Sequence, residues 1–148
     1  MTTVRSLLKV KGNEVWCVPA AATLRETLKV LAEKNIGAVM VQEAGKIVGI
    51  FSERDYARHA ARRGTLLLDE PVSDFMTRSV FYINPDQTVD ECMALMTSKH
   101  IRHIPVLEDD HQLVGLISIG DVVKQLMEEK ETTIHGLENY ILGHDYSG

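Results

Sequence analysis

Apolar residues along this chain fall in short blocks that occur twice in the same order. Val15-Trp16-Cys17-Val18 is a brief apolar stretch followed by proline and small residues. Leu24, Leu28 and Leu31 then recur at the spacing of one helix face. Ala38 to Val41 and Ile47 to Phe51 are apolar runs separated by the polar turn Glu43-Ala44-Gly45-Lys46, which reads as a hairpin. A helix from Glu53 to about Arg63 closes the block. The series then returns as Val80-Phe81-Tyr82-Ile83, a helix face of Val89, Met93 and Met96, a hairpin of Ile104 to Leu107 and Leu113 to Ile117, and a helix from Ile119 to about Lys130.

The two series align residue by residue with an offset of 65, as from Thr23 to Thr88. Thr23-Leu24-Arg25-Glu26 faces Thr88-Val89-Asp90-Glu91, Lys34-Asn35-Ile36 faces Lys99-His100-Ile101, and Val39-Met40-Val41 faces Ile104-Pro105-Val106. One extra residue enters the second copy near Asp110, after which Val48 to Asp55 faces Val114 to Asp121. Each first helix opens on a capping box, Thr23 with Glu26 and Thr88 with Glu91. There the threonine oxygen accepts from the third helical amide and the glutamate reaches back to the cap.

The pattern predicts an α/β (α+β) protein of two tandem β-α-β-β-α repeats, 1–66 and 67–130, with a helical tail over 131–148. One repeat of about 60 residues has a small core. Left alone it would expose an apolar sheet face, so the two copies are expected to pack sheet to sheet as one folding body with a pseudo-two-fold axis. Residues 63–74 are expected to connect the halves. In the tail, Ile134, Leu137, Tyr140 and Ile141 stand at helical spacing, with Gly143 to end the helix.

Composition narrows the function classes. The chain has 148 residues, 45% hydrophobic and 25% charged, with a net charge of −5. A general nucleic-acid binder would carry a basic face, so no nucleic-acid partner is expected. No apolar run is long enough for a transmembrane helix, and the N-terminus lacks the stretch of a secretory signal. Cys17 and Cys92 are too few for a disulfide framework or a cysteine zinc site, and a reducing cytoplasm fits them. The six histidines show no ligand spacing, so no metal site is expected.

Two segments of the form Gly-apolar-apolar-Ser-x-x-Asp, Gly49 to Asp55 and Gly115 to Asp121, each end the same repeat. With Lys99 to Val106 at a helix-to-strand junction and Asp74-Phe75-Met76-Thr77 before the second copy, they give the chain its likeness to a known family. It resembles the CBS domain pair, or Bateman module, of the small stand-alone bacterial type, from about Val4 to Glu129. The resemblance implies a regulatory module and not an enzyme. Its expected ligand is adenosine-containing (AMP, ADP, ATP, NAD or S-adenosylmethionine), bound in clefts between the repeats. It also implies a homodimer formed through the helices and a separate regulated protein, since no second domain is attached.

The chemistry of these segments suits that ligand. An ionised aspartate is acceptor-only and can take both hydroxyls of a ribose, the role expected of Asp55 and Asp121. Ser52 and Ser118 each precede a helix, where free amides favour an anion. Arg102 and His103 stand at the family's phosphate-binding positions, and the arginine fork suits a phosphate. The first copy has Gly37 and Ala38 there, but carries Arg54 where the second has Gly120. By family analogy the Asp121 cleft also uses Gly37, Ala38 and the backbone from Trp16 to Val18. The Asp55 cleft uses Arg54 and the backbone from Ser79 to Tyr82, with Arg102 and His103 nearby.

Plainer roles compete. Each Ser-x-x-Asp also fits a helix cap. Arg102 and His103 fit a strand start at the surface, Trp16 fits a partly buried core position, and Arg58, Arg62 and Arg63 fit a solvated helix face. A hydrolase with Ser52 or Ser118 as nucleophile and His103 as base lacks both a strained elbow and an orienting acid. A ligand-free dimerisation module is the main alternative to the sensor.

Overall fold

The elements of the chain are α1 (Val4–Lys11), β1 (Cys17–Pro19), α2 (Leu24–Lys34), β2 (Ala38–Glu43), β3 (Lys46–Ser52), α3 (Glu53–Arg63), a 3-10 turn (Val72–Asp74), α4 (Val89–Lys99), β4 (His103–Leu107), β5 (Leu113–Ser118) and α5 (Ile119–Glu129). They are taken from a computed structural model that describes residues 1–129. The helical tail expected over 131–148, with Ile134, Leu137, Tyr140, Ile141 and Gly143, lies outside the described residues. The fold is mixed α/β and repeats the expected element order, with a helix added in front and one strand lost.

Two compact units form, one from Val15–Phe81 and one from Met1–Glu14 together with the described residues from Tyr82 onward. In the first, β1 runs parallel to β2 and β2 antiparallel to β3. The β2–β3 turn has only Ala44 and Gly45 at its centre, with φ of 53° and 77°. Two positive φ values make the primed turn whose twist matches the flanking strands. The core gathers Val18, Leu24, Leu31, Val39, Val41 and Phe51. The capping box of α2 is complete: the Glu26 amide donates to Thr23 Oγ1 (3.1 Å) and the Thr23 amide donates to Glu26 Oε2 (3.2 Å).

The second unit holds β4 and β5 as an antiparallel pair over Ile83, Val89, Cys92, Met96, Ile104, Val106, Ile117 and Val122. The strand expected over Val80–Ile83 does not form. Only Ile83 pairs, in a parallel bridge with Val106: its amide donates to Pro105 O (3.1 Å), and the Leu107 amide donates to Ile83 O (3.0 Å). The cause is Pro105. Its counterpart Met40 donates its amide to Trp16 O (3.0 Å) and thereby extends β1. Proline has no amide proton, so the equivalent bond to Phe81 cannot be made. The Thr88 capping box is half-formed. The Glu91 amide donates to Thr88 Oγ1 (3.0 Å), but the Glu91 carboxylate accepts from Gln87 Nε2 (3.0 Å).

The units do not follow the repeat boundaries, because each repeat's lead-in packs on the other repeat's elements. Residues 64–81 are integral to the first unit. The Leu24 amide donates to Glu70 O (2.8 Å), the Val72 amide to Ala22 O (2.7 Å), and Val72, Phe75 and Met76 enter its core. In the second unit the same bonds run from the Val89 amide to Thr2 O (2.9 Å) and from the Val4 amide to Gln87 O (2.8 Å), while Val4, Leu7 and Leu8 enter the core. Helix α1 starts at Thr3, whose side chain accepts from the Ser6 amide (3.2 Å).

Candidate functional site

Each Ser-x-x-Asp segment sits where a strand passes directly into a helix. Ser52 ends β3 and caps α3; Ser118 ends β5 and precedes α5. The glycine that opens each segment is there for packing. A Cβ on Gly49 would lie 2.5 Å from Met76 Sδ and 2.9 Å from the Thr77 carbonyl oxygen; one on Gly115 would lie 2.6 Å from Leu8 Cδ2. Each lead-in therefore seats a side chain against the strand that carries the motif.

The helix-cap role is real at both positions. The Asp55 amide donates to Ser52 Oγ (3.2 Å), while the Ser52 amide and hydroxyl donate to Asp55 Oδ2 (3.2 and 3.0 Å). The Asp121 amide donates to Ser118 Oγ (3.2 Å) and the Ser118 amide to Asp121 Oδ2 (2.8 Å). In each carboxylate the cap engages one oxygen, Oδ2. Oδ1 of Asp55 accepts nothing from the described residues. A cap and a ligand contact are thus compatible on the same side chain.

The two carboxylates differ in one contact. Lys11 Nζ at the end of α1 lies 2.6 Å from Asp121 Oδ2 and also donates to the Leu116 carbonyl oxygen. Both side chains are largely covered, at 31% and 23% exposed. Burial by itself would push the Asp121 carboxyl up. The hydrogen bond and charge of Lys11, with the Ser118 bonds, outweigh that and hold it below its ordinary value. Nothing in the sequence pointed to Lys11. The helix that delivers it was legible as Val4, Leu7 and Leu8 behind a threonine cap, but its ion-pair partner lies in the other repeat.

The remaining candidates are grouped by unit. Gly37 and Ala38 stand beside Ser52: Ala38 is paired with Ser52 across β2–β3, and the Glu53 amide donates to Gly37 O (3.1 Å). Likewise His103 is paired with Ser118, and the Ile119 amide donates to Arg102 O (2.8 Å). Arg54 and Gly120 are exposed in the first turns of α3 and α5, and Arg102 is exposed before β4. Val18 and Ala38 have buried side chains, so only their backbones are available. Tyr82 is 48% exposed, its ring edge-on to His111 at 5.9 Å. Trp16 is half-buried against the first core, with Lys34 Nζ 4.2 Å above its ring. Burial pushes the Cys92 thiol up to about 11, with the Asp121 charge adding to it, so this cysteine is a packing group. Among the described residues no three His, Cys, Asp or Glu side chains are placed to hold a metal ion. No helix among them is long and apolar enough to cross a membrane.

The model of the CBS domain matches residues 5–62 and again 72–128. The chain belongs to the CBS domain family. A putative signal-transduction protein with CBS domains from Burkholderia ambifaria is 41% identical and superposes with a TM-score of 0.83, over 90% of this chain and 99% of that one. The mitochondrial CBS domain-containing protein CBSX3 of Arabidopsis thaliana is 34% identical over 96% of this chain and 73% of its own length. Some related CBS structures hold adenosine-containing ligands. One, from Pyrobaculum aerophilum, is complexed with AMP (28% identity, TM-score 0.70, 80% of this chain and 88% of that one). Another is the CBS pair of protein MJ0100, complexed with 5′-methylthioadenosine and S-adenosyl-L-methionine (25% identity, TM-score 0.76, 87% and 98%).

Proposed function

We propose that this CBS pair is a regulatory module that binds an adenosine-containing ligand through its Ser-x-x-Asp segments and signals to a partner protein. The observation that carries this reading is the state of Asp55. Its carboxylate is fixed by Ser52 through one oxygen, is paired with no cation among the described residues, and presents the other oxygen at the start of a helix. A ribose offers two hydroxyl donors, and a fixed carboxylate meets them without first being ordered. The ligands of the two related CBS structures support the class, because AMP, methylthioadenosine and S-adenosylmethionine share only their adenosine. Arg54, exposed in the first turn of α3, is suited to a phosphate attached to that ribose, as in AMP, ADP, ATP or NAD.

The module acts by binding, with no catalytic residue. The Ser52 hydroxyl serves its cap, accepting from the Asp55 amide and donating to Asp55 Oδ2. Signalling requires two states that bind the ligand unequally. Exposed Ile119 and Val123 on α5, at 37% and 39%, are apolar surface suited to a homodimer through the helices. Two free cysteines suit the reducing cytoplasm.

The test is thermal unfolding with AMP, ADP, ATP, NAD, NADH and S-adenosylmethionine in parallel. A ligand at 100 times its Kd stabilises by about 2.7 kcal/mol, a rise of several degrees in Tm. The expected result is such a rise with at least one of them, reduced in Asp55→Ala. No rise with any at millimolar concentration would overturn the sensor reading and leave a ligand-free dimerisation module.

A further inference from the structure

We propose that Lys11 closes the Asp121 site, so that each chain binds a single adenosine-containing ligand, at Asp55. This rests on the ligand-binding reading above and adds to it which of two near-identical motifs is open.

The two motifs share one design. In each, a serine at a strand end accepts from the amide of an aspartate three residues on, and that aspartate accepts from the serine's own amide. What differs is the second donor on Oδ2. At Asp55 it is the Ser52 hydroxyl, whose hydrogen can rotate away at little cost when a ligand hydroxyl arrives. At Asp121 it is an ammonium group at 2.6 Å. A ribose held at both oxygens brings one hydroxyl to Oδ2, and that neutral donor would have to displace a charge-assisted bond, roughly twice as strong as a neutral one. The pair is mostly covered, so salt and water screen it less than a surface pair. Lys11 also donates to Leu116 O, so a second bond holds it in place.

The lysine is delivered by a docked helix. Val4, Leu7 and Leu8 are buried, Leu8 lies against Gly115, and Arg5 bonds Asp86 (3.1 Å) and Glu108 (3.2 Å). The other lead-in provides no such group. Leu8 under Gly115 corresponds to Met76 under Gly49, and three residues on from Met76 stands Ser79, where three on from Leu8 stands Lys11. Within the motifs themselves, Arg54 stands two residues after Ser52, and the uncharged Gly120 holds its place after Ser118.

The test is calorimetric titration of the full chain with AMP, ATP and NAD in turn. The expected stoichiometry is one ligand per chain, weakened at least about 100-fold by Asp55→Asn. Lys11→Met, which keeps the aliphatic stem, raises it to two, and Lys11→Met with Asp121→Asn returns it to one. Lys11→Arg, which keeps the charge, stays at one and controls for disturbance of α1. Two ligands per wild-type chain, a single site abolished by Asp121→Asn, or a Lys11→Met chain that still binds one would each overturn the proposal. A folded Lys11→Met chain that binds more weakly would also overturn it, by making the lysine a ligand contact. No binding to wild type or Lys11→Met would instead sink the sensor reading itself.

Discussion

Lys11 and Asp121, from the first helix and the last described one, meet at 2.6 Å and neutralise one of two otherwise matching carboxylates. The pair carries a signed pH dependence. The folded-state pKa of Asp121 is lowered, so the pair contributes stability above the unfolded value of about 3.9 and loses it as pH falls through the folded value. Lys11→Met is expected to cost about 1 kcal/mol at neutral pH, a modest figure because both groups keep some contact with water. Urea unfolding of both chains should show this gap closing as the pH drops below the carboxylate range. A gap that stays constant to low pH would assign the loss to α1 packing instead.

Gly49 and Gly115 occupy the same motif position yet should respond unequally to a methyl group. At Gly115 the new atom meets only the end of the Leu8 side chain, which can turn aside. At Gly49 it meets both Met76 and the Thr77 carbonyl oxygen, and Thr77 exchanges two backbone bonds with Ile50 (3.0 and 2.8 Å). Gly49→Ala is therefore expected to cost about 2–3 kcal/mol and Gly115→Ala about 1 kcal/mol, by denaturant midpoint. The reverse order would mean that the first lead-in, with Leu8, is the more rigid one.

Pro105 predicts a difference in hydrogen exchange between equivalent segments. The Val18 amide lies inside a strand paired along β2 and should exchange slowly, whereas its counterpart Ile83, whose amide bond to Pro105 O (3.1 Å) belongs to an isolated bridge, should exchange faster. Comparable protection in the two segments would show that the second sheet carries a first strand after all.

The repeat and its elements were legible because their signals are local. Leu24 and Leu31, the Ala44-Gly45 turn, and the Ser52 and Ser118 caps all act within a few residues of themselves. The lost strand was legible in principle, since Pro105 stood in plain view inside an expected strand. The apolar run Val80–Ile83 has the composition of a strand, but the strand that would have to bond it carries the proline. The half-formed box at Thr88 has the same origin: the neighbour Gln87 bonds the Glu91 carboxylate that the motif assigns to the cap.

The sequence by itself determined two copies of one unit, the family they belong to, and the two aspartates suited to a ribose. Only the tertiary structure decided that each lead-in packs on the other repeat's elements, and that Lys11 thereby reaches Asp121 while Asp55 meets no cation among the described residues. The physical reason is range. Periodicity, capping and turn chemistry depend on neighbours in the chain, whereas an ion pair depends on which distant surfaces bury each other. Val4, Leu7 and Leu8 state that α1 has an apolar face, and nothing in their spacing says which core will cover it.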